Sequence, residues 1–428
     1  MKTHFQKILS GLMLMFCLRA GAQVYDTNNV SVSTFVGSGF AGIYDGQGTQ
    51  TMFNSPISAV ADSNGNLFIV DQQNARIREV TPGGAVTTFA GGGSGALPGY
   101  GTNVSLSGIF GGQLGQMTID HSNALWITEV IGPKIIRIGP DGYVTEITLR
   151  LSLVGYYYYI RGMCVDSSNN LYLAFDGESS GHQAQNEQIL KYNQDGTAQS
   201  LAGTGVGYAN GNGLSATFGQ VGCLAVDAAD DIYVWDGVNQ LIRRMDKNLN
   251  VTTVAGRLNS GAEIDGNGTN ASFSSVNQMC VDAFANIYLA GGDSIRKIAP
   301  NADVDTMAGA FGQSGMTNGA GNLARFSGAT GVCLVSNSLF VADSGNQRIR
   351  QISYTSPPPV VGGPALSFNV LPGLEITGLV GRQYQIQSST DGVTWNIETN
   401  VTPNSSPYLW INSNPGPQRK SYRAYLIP

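Results

Sequence analysis

Residues 57–91 read ISAVADSNGNLFIVDQQNARIREVTPGGAVTTFAG, and this stretch decides the fold. Four short apolar runs (57–61, 67–70, 77–80 and 86–90) are separated by Asn64-Gly65-Asn66, Gln72-Gln73-Asn74 and Pro82-Gly83-Gly84. Those separators supply the positive φ and fixed turn geometry that tight reversals need. Runs rich in β-branched and aromatic residues, bounded by Asn, Gly and Pro, read as strands. Four strands joined by three hairpins make one small antiparallel sheet.

The rest of the chain repeats the unit. The first run, ending Ala59-Val60-Ala61-Asp62, recurs at 117–120, 163–166, 224–227, 279–282 and 332–335. The second run recurs as LWITE (125–129), LYLAFD (171–176), IYVWD (232–236), IYLAG (287–291) and LFVAD (339–343). The fourth, VTTFAG, recurs at 198–203, 251–256 and 304–309, with VTEIT (144–148) a weaker copy. The sixth unit stops after its third strand, and the missing fourth is found near the start of the chain as VSTFVG (32–37). A ring of sheets closed by an N-terminal strand accounts for both, and leaves no open sheet edge. The expectation is an all-β chain: a six-bladed β-propeller over residues 24–354, then a small C-terminal β-sandwich.

Composition agrees. Of 428 residues, 57 are Gly and only 12% are charged, about half the usual share. That suits short strands and tight turns rather than long surface helices. Residues 1–22 read as a signal peptide, with Lys2 and Lys7 before an apolar run and Ala20-Gly21-Ala22 as a cleavage site. No later run is long enough to span a membrane as a helix. Loss of Lys2, Lys7 and Arg19 takes the net charge from −6 to −9, which disfavours nucleic acid and anionic membrane as partners. A secreted or periplasmic monomer without membrane insertion is expected. Cys164, Cys223, Cys280 and Cys333 each fall in the first strand of a different unit, so buried free thiols are expected rather than disulfides.

Asp71-Gln72-Gln73-Asn74-Ala75-Arg76-Ile77 and Asp343-Ser344-Gly345-Asn346-Gln347-Arg348-Ile349 resemble the D-x-x-N-x-R-I core of NHL repeats, secreted bacterial type. The resemblance covers nearly all of the expected propeller, with departures at Leu241, at Glu129 and Lys134, and at 291–296. Residues 355–364 carry three consecutive prolines and read as a semi-rigid linker. Residues 365–428, with Tyr384 to Asp391, Trp395 and Ser421-Tyr422-Arg423, resemble small fibronectin-like modules.

The recurrent residues read as scaffold. Asp62, Asp120, Asp166, Asp227 and Asp282 each end a first strand, where a carboxylate accepts backbone N–H bonds within the turn. Asp71 with Arg76, and Asp343 with Arg348, are expected to tie the second turn through ion pairs. One aromatic per unit (Phe68, Trp126, Tyr172, Tyr233, Tyr288, Phe340) reads as packing between units. The Gly-rich connections, each ending on Phe53, Phe218, Phe273 or Phe326, lack the context of phosphate or calcium loops and read as turns.

Binding residues are sought where the repeat breaks. Candidates are Tyr156, Tyr157, Tyr158 and Tyr159 before the third unit, and His182 in an insertion between its second and third strands. Exposed tyrosines beside polar loops anchor sugars or peptides. No catalytic residue, metal ligand or cofactor is assigned. The function expected is a binding or interaction scaffold, with a protein or carbohydrate ligand on the loop face. A purely structural cell-surface role is the neighbouring reading. The alternative is a calcium-dependent propeller hydrolase or lyase, as the likeness to gluconolactonase-like enzymes implies. A zinc lyase of related fold needs more histidines than His121 and His182.

Overall fold

The structure is a computed structural model. It describes residues 30–354, except 108–113, 130–131, 133, 151–156, 179–183 and 194. In the C-terminal part it describes 373–376, 383–389, 394, 396–402, 408–411 and 421–426. The chain forms two compact units, Met1–Ser356 and Pro357–Pro428.

In the first unit every sheet is antiparallel and is built in chain order. Sheet 1 contains Pro56–Ala61, Leu67–Asp71, Arg76–Val80 and Ala85–Gly91. Sheet 2 contains Leu114–Ile119, Leu125–Glu129, Lys134–Ile138 and Tyr143–Thr148. Sheet 3 contains Tyr157–Val165, Leu171–Glu178, Ala184–Tyr192 and Ala198–Ala202. Sheet 4 contains Val221–Val226, Ile232–Asp236, Leu241–Met245 and Asn250–Gly256. Sheet 5 contains Gln278–Val281, Ile287–Gly291, Ser294–Ile298 and Asp303–Gly309. Sheet 6 contains Ala329–Val335, Ser338–Asp343 and Arg348–Tyr354. Its fourth strand is Val30–Val36, which pairs from Val30 opposite Tyr354 to Val36 opposite Ile349. This is the N-terminal match to VTTFAG.

First strands of consecutive sheets touch one another all the way round, from sheet 1 to sheet 6 and back to sheet 1. The result is a propeller-like all-β fold. Apolar clusters sit between neighbouring sheets: one joins Val60, Phe68 and Ile77 of sheet 1 to Met117, Ile127 and Ile136 of sheet 2. Gln278 lies buried where sheets 5, 6 and 1 meet. Its Oε1 accepts from the amides of Ala59 and Val332, and its Nε2 donates to the Ala59 carbonyl.

The sequence missed a fifth strand. In all sheets but the third, the Gly-rich connection adds a two-residue edge, such as Gly46–Gln47 against Ala85 and Val86. Gly48, Gly101, Gly213 and Gly268 then turn the chain with φ between +47° and +57°, a region that costs a Cβ-bearing residue.

The expected ion pairs are corrected. Asp71 pairs with Arg78, not Arg76, and Asp343 pairs with Arg350, not Arg348, at 2.8 and 2.7 Å. Arg76 sits at the outer end of its strand, beside Gly92 and Thr88. Arg78 lies two residues inward on the same strand face, beneath the connection. There it donates to the carbonyls of Met52 and Tyr44 and to Asp45. Its guanidinium lies 5.1 Å from the centroid of Phe53, which seals the connection. Arg243 over Phe218, Arg296 over Phe273 and Arg350 over Phe326 repeat the device. Sheet 5 has Gly291 where sheets 1, 4 and 6 have the aspartate, and Glu263 of the connection approaches Arg296 instead.

Two further readings hold, those of the turn aspartates and of the cysteines. Asp120, Asp166, Asp227 and Asp282 accept from the backbone of the turns they open, as does Asp62. Cys164, Cys223, Cys280 and Cys333 are free.

In the second unit, Gly373–Ile376 pairs with Tyr408–Ile411. Tyr384–Ser389 runs between Asn396–Val401 and Ser421–Leu426. Residues 1–29 and the proline-rich segment 355–364 lie outside the described residues.

Candidate functional site

The departures from the repeat cluster in sheets 2 and 3. Pairing register places Ile136 and Leu190 where sheet 1 has Arg78, and Phe175 where it has Asp71. Both arginine positions are therefore apolar, and all three residues are buried. Sheet 3 puts its carboxylates one residue further along instead. Asp176 and Glu187 stand directly opposite each other on adjacent strands, and both are buried.

Their partners are specific. Asp176 Oδ2 accepts from Arg161 Nε and Nη2 and, at 3.3 Å, from Gln220 Nε2. Glu187 Oε2 accepts from the Val221 amide at 2.7 Å. Burial, then the neighbouring Asp176 carboxylate, push the Glu187 pKa up to about 9. Glu187 is therefore protonated at neutral pH. Two carboxylates this close in a low dielectric cannot both ionise. A proton on Glu187 relieves the repulsion, and Asp176 anchors Arg161.

Arg161 is the group that reaches outward, with 33% of its side chain exposed. It is the extra residue of a bulge between Ile160 and Gly162, which re-aims its side chain. Gly162 has no room for a Cβ, since the Cys223 backbone would lie 2.7 Å away. Arg161 also stacks 4.9 Å from the ring centroid of half-buried Tyr159. A depression of about 190 Å³ beside it is lined by Ile57, Gln72, Gly115, Gln116, Thr128 and Ile160 as well as Arg161. Ile57, Gly115, Gln116, Ile160 and Arg161 lie on the first strands of sheets 1 to 3, and Gln72 and Thr128 at the ends of second strands, on the face of the connections. At the other end of the ring, a cavity of about 300 Å³ is lined by the first strands of all the sheets. Its walls are mainly Ala, Val, Leu, Met and Cys.

Of the tyrosines singled out from the sequence, Tyr159 is at this site. Tyr157 and Tyr158 lie on the same strand, opposite Glu178 and Gly177, and their side chains are outside the described residues. Tyr156 and His182 are outside them altogether. Sequence reasoning missed Arg161, Asp176, Glu187 and Gln220. The available signal was the extra residue of LYLAFD, which moves the aspartate off the register shared by LFIVD and IYVWD. Among the described residues no group of three or more His, Cys, Asp or Glu is placed to hold a metal ion.

No family model and no curated protein matches the chain. Solved structures do. A structural genomics protein of unknown function from Bacteroides thetaiotaomicron aligns with TM-score 0.59 and 17% identity, over 76% of each chain. An auxiliary nutrient binding protein of the same organism gives 0.58 and 18%, over 76% of this chain and 77% of that one. Its namesake from Bacteroides ovatus gives 0.57 and 16%, over 77% and 78%. At these identities the likeness shows a shared fold.

Proposed function

We propose that the chain is an exported NHL-type six-bladed propeller, closed by Val30–Val36 and carrying a small C-terminal sandwich, that acts as a binding scaffold. Its ligand or partner protein engages the connection face at the depression beside Arg161. The observation that carries this reading is the fixed, part-exposed Arg161, backed by a buried carboxylate pair in the sheet that abandons the repeated ion pair. A scaffold residue recurs in several sheets; among the described residues this arrangement occurs once.

The depression is too small to enclose a whole ligand, since such pockets usually run to about 300–1,000 Å³. It suits a single acidic group, a carboxylate at the end of a larger molecule, which a guanidinium recognises with two parallel hydrogen bonds. Gln72, Gln116 and Thr128 supply polar groups around it. Asp176 and Glu187 are fully covered, so they hold Arg161 rather than meet the ligand. The descriptions of the two nutrient-binding relatives are in keeping with a binding role, but the site carries the argument.

The test is a thermal-shift screen of the full chain against free hexuronates, dicarboxylates and peptides with acidic termini. A rise in the unfolding midpoint that is lost in Gln116→Ala and Arg161→Gln is expected. No shift with any compound, or shifts that survive both substitutions, would sink the reading.

A further inference from the structure

Trp126 occupies the position that Phe68, Tyr233, Tyr288 and Phe340 fill elsewhere in the repeat. Those four are buried, whereas Trp126, like Tyr172 of sheet 3, is only partly covered. In sheets 1 and 6 the recurrent ring is met edge-on by a fourth-strand phenylalanine, Phe89 against Phe68 at 5.0 Å and Phe35 against Phe340 at 4.9 Å. Sheet 2 has Ile147 in that place, in the weak copy VTEIT, and Ile147 lines a space beside the indole.

That space is a cavity of about 370 Å³ between sheets 2 and 3, opening on the face opposite Arg161, where the first hairpin turns lie. Ile147, Val165 and Leu171 form its apolar wall, and Trp126 and Tyr192 line it with rings 6.0 Å apart and tilted by 57°. Polar groups surround these: Asp120, Arg137, Asn169 and Asn170. Trp126 Nε1 donates to Asp120 Oδ2 at 3.0 Å, which fixes the indole plane. Arg137 stacks 5.6 Å from the indole centroid, and among the described residues its guanidinium donates to no acceptor. The Tyr192 hydroxyl has no hydrogen-bond partner among them either.

We infer that this cavity is a saccharide-binding site, with Trp126 as the stacking platform for one sugar ring. Sugars present an apolar C–H face and an equatorial rim of hydroxyls. An aromatic platform with planar polar side chains at its edge matches both. Arg137 and Asn169 are the rim donors, and Asp120 and the Tyr192 hydroxyl are the rim acceptors. The volume accommodates one sugar ring with its neighbours continuing outward, so a chain end or a short glycan is the expected ligand. This site is separate from the Arg161 depression and does not depend on it.

The test is isothermal titration of the full chain with hexasaccharides of glucose, mannose, xylose and galacturonic acid. At least one is expected to bind, and Trp126→Phe is expected to weaken it on the order of tenfold or more. Phe is the residue found at this position in sheets 1 and 6, so the sheet should tolerate it. Asn169→Gly is a second variant, because Asn169 has φ +67° and glycine adopts that backbone freely. It should weaken binding severalfold. Failure of all four sugars to bind would overturn the inference. So would unchanged affinity in Trp126→Phe, or in Asn169→Gly if the first variant does not fold.

Discussion

Asp176 and Glu187 face each other across two strands of sheet 3, both shielded from water, and burial together with the facing carboxylate raises the Glu187 pKa. The unfolded chain has no such constraint. A carboxyl with an ordinary value of 4.5 is ionised there at neutral pH, while in the fold Glu187 holds its proton to about pH 9. The raised folded-state value contributes stability that is complete below the unfolded pKa and is lost as pH rises from about 4.5 through 9. Urea midpoints measured across that window should fall less steeply in Glu187→Gln than in the native chain. Equal slopes would show that Glu187 is not protonated in the fold.

The Asp71–Arg78 pair should behave as a unit. Removing one partner leaves a buried charge alone, at a cost of roughly 3–5 kcal/mol. Arg78→Met should therefore lower the thermal midpoint strongly. Asp71→Phe together with Arg78→Leu imitates Phe175 and Leu190 of sheet 3 and should recover much of the loss. A double variant no better than Arg78→Met would show that the arginine's bonds to the connection, not its charge balance, are what counts.

Gln278 offers a local test. Gln278→Leu strips the amides of Ala59 and Val332 of their acceptor in a buried setting, a loss of about 1–3 kcal/mol for each group left unpaired. Hydrogen exchange at those two amides should accelerate more than exchange in sheet 3. Uniform acceleration over the whole ring would mean that Gln278 supports global stability only.

The thiols should be inert in the folded chain. Burial pushes the Cys333 thiol up to about 12 and raises those of Cys164, Cys223 and Cys280 as well. Since the thiolate is the reactive form, iodoacetamide at neutral pH should label these four only after denaturation. Rapid labelling of any one in the native chain would place it nearer solvent than the fold has it.

The sheets were legible because a strand's period and its turn chemistry are local. Asn64-Gly65-Asn66 and Pro82-Gly83-Gly84 announce their hairpins without knowledge of anything distant. The edge strands at Gly46–Gln47 and its counterparts were not legible, because two residues carry no period. Arg78 was passed over for Arg76 for a related reason. The motif gives spacing along the chain, but the partner is chosen by depth beneath a connection that starts far upstream at Tyr44. The candidate site is harder still. Arg161, Asp176, Glu187 and Gln220 come from three strands and a connection, and only the fold brings them within reach. Tyr159 was found because four tyrosines in a row are visible without a structure.

Val30–Val36 pairs with the strand that ends at Tyr354, so the two halves of that sheet are made at opposite ends of synthesis. The first of them emerges early and has no partner until nearly the whole repeat has followed it. Sheets 1 to 5 can form in order as they appear, each from neighbours in sequence. The last step is different in kind: a latch that can shut only once, and only when everything between has been built. Until then the early segment must be kept from pairing with the wrong edge, and every copy of VTTFAG in the chain marks an edge that it resembles. A truncation anywhere before Tyr354 would thus leave both ends unsatisfied at once, and chains stalled there are the ones from which aggregates should start.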